Sequence, residues 1–552
     1  MPNLKSIVTA GSDKMATRRT RYLKPSFAIA QSPRARPETI VITGQNCPMF
    51  ETTHLIINWL ALLFILAIGC AIAYVAMIYV LDVRQSQSTL RRNYPVIARF
   101  RYLFEHLGEF FRQYFFAMDR EELPFNRAQR SWVYRAAKGA TTNIAFGSTR
   151  STLTPGEPHF LNSAFAILDE ETSEPPPLVF GPYCSTPYST RSYFNISGMS
   201  YGALSKPAVT ALSRGAALTG CWLNTGEGGL SPHHIAADAD IIFQIGTAKY
   251  GVRDADGRLS DARLRELAAM PQVRMFELKL SQGAKPGKGG ILPGDKVTSE
   301  IAAIRGIAVG QASISPNRHP EINNADELLD MLNHIRSVTG KPVGFKAVLG
   351  QTGWVEELCQ RINARGIESA PDFITLDSAD GGTGASPQPL MDYVGLPLRE
   401  SLPYLVDELI RHGLRDRIKV IASGKQITPG YVALSLATGA DVITTARGFM
   451  FALGCIQALQ CHQNTCPTGV TTHDLKLQKG LDPADKSVRV ANYHRQMMHD
   501  VEMIAHACGV PHARELKRHH VRLVMQNGQS INLATLHPEP VKLISTQETH
   551  SL

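Results

Sequence analysis

Cysteine is scarce in this chain, nine among 552 residues, and that excludes a disulfide scaffold, which concentrates cysteine in a short sequence. Six of the nine, Cys47, Cys70, Cys184, Cys221, Cys359 and Cys508, lie in apolar or loop sequence and read as small buried hydrophobes. Charge is also sparse, 19 % against 44 % hydrophobic, so a disordered charged tail is excluded and a folded chain with a large core is expected. The formal net charge of +9 comes without an aromatic-interleaved basic stripe, so no nucleic-acid partner is expected. No G-x-G-x-x-G opens a helix after a strand, which removes a nicotinamide site of the Rossmann kind.

One long apolar run is present. Trp59 to Leu81 is 23 residues without a charge, enough at about 1.5 Å per residue to cross a hydrocarbon layer of about 30 Å. A single transmembrane helix is expected over 55–83. Arg84, Arg91, Arg92, Arg99 and Arg101 follow it, whereas residues 38–54 hold no Lys or Arg, so the positive-inside rule places the C-terminal part in the cytoplasm. The basic leader before the span, 1–54, shows no pattern that assigns it a function. Over 84–150, Ile97, Phe100, Leu103, Phe104, Leu107, Phe110 and Phe111 recur at helical spacing. A packed helical linker is expected there in preference to helices on the membrane surface, and with the proline-rich stretch it fills 84–189.

Eight strand-like runs then alternate with helical segments: 193–197, 221–225, 275–280, 306–314, 342–348, 372–377, 418–423 and 441–446. Their Val and Ile content without strict alternation predicts strands buried on both faces, hence an α/β fold, a (β/α)8 TIM barrel. An open doubly wound sheet is the second architecture. The run 241–246 is read as an extra strand in a long second excursion. The barrel domain is placed at 190–490 and a C-terminal helical extension at 491–552.

In such a barrel the loops after the strands line the active face. Here they are dense in glycine: SGMSYGALS (197–205), NTGEGG (224–229), QGAKPGKGGILPG (282–294) and DSADGGTGASP (377–387). Glycine lets backbone amides approach a flat polar ligand. ASGK (422–425) and ARGF (446–449), after the last two strands, stand where barrels bind a phosphate, with Lys425 and Arg447 adding charge. That pattern points to a flavin mononucleotide or a sugar phosphate. Lys279 and Lys346 lie within apolar strands, and a buried ammonium needs an electron-rich ring or an anion such as Glu277 or Asp377. Glu227 and Asp380 are candidate acids, or helix caps. Cys455, Cys461 and Cys466 with His462 fall within twelve positions; three close thiolates suit an iron–sulfur cluster, and a Cys3His zinc knot is the alternative.

Taken together these motifs resemble the flavin-binding synthase barrel of the glutamate synthase family, over about Ser197 to Val490, with C-x5-CH-x3-CP-x-GV and GLDPADKSVRV in family order. The resemblance implies FMN at the barrel mouth, touched by Ser197, Gly198, Met199, Gln244, Lys279, Lys346, Gly384, Gly424 and Gly448. It also implies a 3Fe–4S cluster on Cys455, Cys461 and Cys466. Family members reduce the imine formed from 2-oxoglutarate and ammonia to glutamate, which gives Lys285 a substrate carboxylate and Glu227 ammonia or proton transfer. The chain departs from the family in having Lys288 and Ile291 where Glu and Gln are usual, SADGG for GHDGG, and ASGK for ADGG. Glutamine hydrolysis in the same chain is not expected, and electrons are expected from ferredoxin or a membrane donor. Two other functions stay open: a dehydrogenase of another amine or amino acid feeding the membrane, and a non-catalytic redox sensor.

Overall fold

The computed structural model of the chain describes residues 48–543, and the leader over 1–47, with Cys47, lies outside the described residues. Two compact units divide the chain between Phe110 and Phe111. In the first, α1 (Pro48–Arg84) contains the whole uncharged run and is the one helix among the described residues long and apolar enough to cross a membrane. It is followed by α2 (Thr89–Asn93), which Ser88 caps through the Arg91 N–H, and by α3 (Ile97–Phe111).

The second unit begins with a π-helical turn, Arg112–Phe116, and α4 (Arg127–Ala137), whose start is fixed by a reciprocal cap between Asn126 and Gln129. Among the described residues fifteen strands follow. They are β1 (Pro158–Phe160), the hairpin β2 (Leu178–Phe180) and β3 (Tyr188–Thr190), then β4 (Phe194–Ile196), β5 (Leu223–Asn224), β6 (Ile241–Ile245) and β7 (Val273–Lys279). A second hairpin, β8 (Ile291–Leu292) and β9 (Ser313–Ile314), precedes β10 (Val343–Ala347), β11 (Phe373–Asp377), β12 (Lys419–Ser423) and β13 (Val442–Thr445). The last two are β14 (Val521–Val524) and β15 (Ser530–Asn532). Strands β4, β5, β6, β7, β10, β11, β12 and β13 pair in parallel and close on themselves, the expected (β/α)8 barrel.

One strand assignment is corrected. The third barrel strand is β6, the run read as an extra strand, and residues 306–314 are not in the barrel. The reason is visible residue by residue: all five residues of β6 are buried, whereas 306–312 hold Gly306 and Gly310 at positive φ and only Ser313–Ile314 pairs, with β8. The third glycine loop therefore follows the fourth barrel strand, β7, and 282–341 is one long excursion over the mouth. The C-terminal region is helical to Ala507 and then changes character, β14 pairing antiparallel with β15 and with β1.

Because side chains alternate along a strand, the barrel interior is built in layers two residues apart. The lowest holds Trp222, Ile242, Met275, Phe373, Ile421 and Val442, and the β2–β3 hairpin plugs it with Phe180 and Tyr188. Gly344 belongs to this level for a steric reason: a Cβ there would fall 2.5 Å from the Phe373 ring. Two residues higher come Asn224, Gln244, Glu277, Lys346, Thr375 and Thr444, and above them Lys279 and Asp377. The interior thus passes from apolar to polar to charged toward the C-terminal mouth.

Candidate active site

A cavity opens at the mouth. Its glycines are packed so tightly that side chains would collide: a Cβ on Gly198 would lie 2.9 Å from Asn224 Oδ1 and 3.0 Å from Gln244 Nε2, and one on Gly290 would lie 2.4 Å from Glu227 Oε1. Gly384, by contrast, faces open space on the cavity side. Of the residues that the motifs singled out, Gly198, Met199, Glu227, Gln244, Lys279 and Lys285 line this cavity. So do Lys346, Gly384, Arg447 and Cys461.

The charges are arranged in pairs. Lys279 Nζ lies 2.9 Å from Glu227 Oε2, and Lys346 Nζ lies 3.0 Å from Asp377 Oδ2. Asp377 also accepts the Gly283 N–H at 3.0 Å, which ties the 282–294 loop to β11. Glu277 forms no direct ion pair with a lysine; it accepts from Gln244 Nε2 at 2.6 Å, Asn224 Nδ2 at 2.8 Å and Thr375 Oγ1 at 2.5 Å, and so fixes the polar floor. Burial alone would raise the Glu227 carboxyl, yet Lys279 and Lys285 beside it hold it at about 2. Those two cations favour the ionised carboxylate. Burial lowers Lys285 to about 8, with Glu227 opposing. Lys346 is raised, because Asp377 and Glu277 outweigh its burial.

Several expected residues stand elsewhere. Asp380 does not line the cavity; it pairs with Lys425 at 2.8 Å on the rim, where its side chain is half exposed, so the two charges are spent on each other. Ser197 lines a smaller cavity beneath the first. Gly424, at φ 112°, is pressed against Ser378, and Gly448 lies under Tyr493 Oη, 2.2 Å from where its Cβ would be. Lys288 is exposed, whereas Ile291 lines the cavity.

Arg305 is the cavity cation that sequence reasoning missed. It ends the helix Ser299–Arg305, is buried, donates from Nη1 to Ser313 Oγ at 2.9 Å, and keeps a buried Nε without a protein partner. A barrel strand over 306–314 would put Arg305 at its N-terminal end, opposite the mouth. Counting β6 instead would have brought it to the mouth.

The cysteine loop adjoins the cavity through Cys461, whose Sγ is 3.6 Å from Arg447 Nη1. Cys455 and Cys466 are buried behind it. The loop is held from outside: Tyr134 Oη donates to the Cys455 carbonyl at 2.6 Å and Lys296 Nζ to the Cys461 carbonyl at 3.2 Å. Gln457, Leu459 and Asn464 all have positive φ, a density of left-handed non-glycine residues that persists only where surrounding structure dictates it. Among the described residues no three His, Cys, Asp or Glu side chains are gathered tightly enough for a single metal ion, and His462 is exposed beside Gln463.

Residues 159–511 match the family model for the conserved region in glutamate synthase. The glutamate synthase large subunit-like protein YerD of Bacillus subtilis is 39 % identical over 509 residues, covering 85 % of this chain and 96 % of that one. An archaeal glutamate synthase [NADPH] of Methanocaldococcus jannaschii is 34 % identical over 331 residues, 59 % of this chain and 61 % of its own length. The chain thus spans about three-fifths of the archaeal-type relatives that it matches. The recombinant flavin-binding domain of baker's yeast flavocytochrome b2 superposes with a TM-score of 0.42 at 14 % identity, over 76 % of this chain and 86 % of that one. The chain belongs to the glutamate synthase family.

Proposed function

We propose that the chain is a membrane-tethered, FMN- and iron–sulfur-dependent oxidoreductase that reduces 2-iminoglutarate, formed from 2-oxoglutarate and ammonia, to glutamate. The observation that carries this reading is the meeting of four buried cations, one ionised carboxylate and one cysteine thiol in a single glycine-walled cavity. The residues fit a flavin: Gly384 leaves open the space that a Cβ would take, and Lys279 and Lys346 offer cations to an electron-rich ring. Gly198, Met199 and Gln244 would hold the ring from the first loops, and Arg447 would face it from the last. Cys455, Cys461 and Cys466 would hold an iron–sulfur cluster as a sulfur-only donor set with Lys296 and Arg447 beside it. When bound, FMN supplies hydride chemistry and a 3Fe–4S cluster supplies single-electron exchange.

The chain's own groups then bind and orient. Lys285 and Arg305, both lining the cavity, would hold the two carboxylates of the substrate. Glu227, ionised, attracts ammonium to the same cavity. Electrons come from a ferredoxin-like protein or a membrane donor, with α1 spanning once and the barrel in the cytoplasm. Ile291 at the cavity wall favours a second reading, a dehydrogenase of a different amine or amino acid that passes electrons to the membrane, because the apolar side chain takes the place of a hydrogen-bonding one. Anaerobically purified protein supplied with 2-oxoglutarate, ammonium and a low-potential donor is expected to form glutamate. Full cofactor content with no turnover on this pair, but flavin reduction by other amino acids, would favour the second reading.

A further inference from the structure

We propose that α3 is an interfacial helix whose apolar face lies in the boundary between lipid headgroups and acyl chains, held there by a clamp at the end of α1. The inference rests on the reading of α1 as a membrane span.

The apolar positions of α3 are exposed. Ile97, Phe100, Leu103, Phe104 and Phe110 recur at spacings that put them on one face, and each is more than two-fifths exposed. Glu105 and Glu109 occupy the opposite face, and Ala98 alone is buried among the residues of the helix. A phenylalanine-rich face left open to water is stable only against another apolar phase, and α1 supplies one on the same chain.

The clamp fixes where that phase begins. Asp82 follows directly on Leu81, the last residue of the uncharged run, and its side chain is fully enclosed. It accepts from Arg99 Nη2 at 2.7 Å, Arg99 Nε at 2.9 Å and the Val96 N–H at 3.1 Å, with Arg91 Nε 3.9 Å away. The first turn of α3 is thereby tied to the level at which α1 leaves the apolar layer. Gln85 locks the connection, donating to the carbonyls of Asp82 and Ser88 at 3.0 and 2.8 Å and accepting the Ser88 N–H at 2.7 Å. A helix of 15 residues, about 22 Å long, that starts at the interface with aromatic residues along one side and arginines at its root has the composition of a helix lying in that interface.

The test uses the full chain in phosphatidylcholine–phosphatidylglycerol bilayers, with a photoreactive benzoylphenylalanine replacing one residue at a time. Lipid adducts are expected at Phe104 and Phe100, as at Leu66 within α1, and about tenfold fewer at Glu105 and Glu109 on the other face. Lipid adducts at Leu66 with protein adducts at Phe104 and Phe100, or equal labelling of both faces, would overturn the inference alone. Failure at Leu66 as well would overturn the span on which it rests. Phe100 and Phe104 serve as independent positions should one replacement fail to yield folded protein.

Discussion

Lys285 carries the most quantitative consequence of the site. It is buried in the 282–294 loop, and burial brings its ammonium down to about 8 despite the nearby Glu227. A lysine with a lowered pKa is charged below that value and neutral above it, so the cation that would meet a substrate carboxylate is present at pH 7 and lost as pH rises through 8. The charged fraction falls from about nine-tenths at pH 7 to about one-tenth at pH 9, which weakens dicarboxylate binding about tenfold across that interval. Lys285→Ala removes a charge-assisted hydrogen bond of about 1.5–3 kcal/mol, and affinity should fall by about 10- to 150-fold with no remaining pH step near 8. Titration of 2-oxoglutarate against the visible spectrum of the isolated protein reads both effects, and flavin content controls for folding. Equal affinity at pH 7 and pH 9, or an unchanged Kd in Lys285→Ala, would refute the assignment.

Other residues give independent expectations. Gly384→Leu projects into open space, so the thermal midpoint should match that of flavin-free wild type while flavin content collapses; flavin retained at wild-type level would remove Gly384 from the cofactor site. Asp372 is fully buried and binds Arg336 Nε at 3.0 Å, Arg417 Nη2 at 2.8 Å and the Val343 N–H at 2.8 Å. Asp372→Ala strands two buried guanidinium groups and should cost about 3–5 kcal/mol of stability by denaturant unfolding, and a loss below about 1 kcal/mol would show that the network relaxes. Cys461→Ser should lose iron and sulfide while keeping FMN, since on the proposed function Cys461 would be one of three cluster ligands but only one of many residues at the cavity. Parallel loss of both cofactors would instead make the loop a structural staple.

Much of this architecture was readable from residues alone, and its failures have physical causes. Seven of the eight strands were found from short Val- and Ile-rich runs, because parallel strands buried on both faces need them. The eighth was misplaced because IIFQIG and GIAVGQASI are both apolar runs, and Gly306 and Gly310, which adopt left-handed φ, mark the second as a loop. The glycine loops announced the cavity, since close backbone approach leaves a compositional trace. Arg305 and the rim pair of Asp380 with Lys425 left none: a cation brought in by a 60-residue excursion and two charges that neutralise each other depend on tertiary geometry. The state of Glu227 was likewise beyond sequence, as its two lysine neighbours come from β7 and the loop that follows.

The most direct test of the account is the composition of protein purified without oxygen. It should be coloured and contain one FMN and about three irons with matching acid-labile sulfide per chain, whereas colourless protein, or zinc recovered in place of iron, would contradict it.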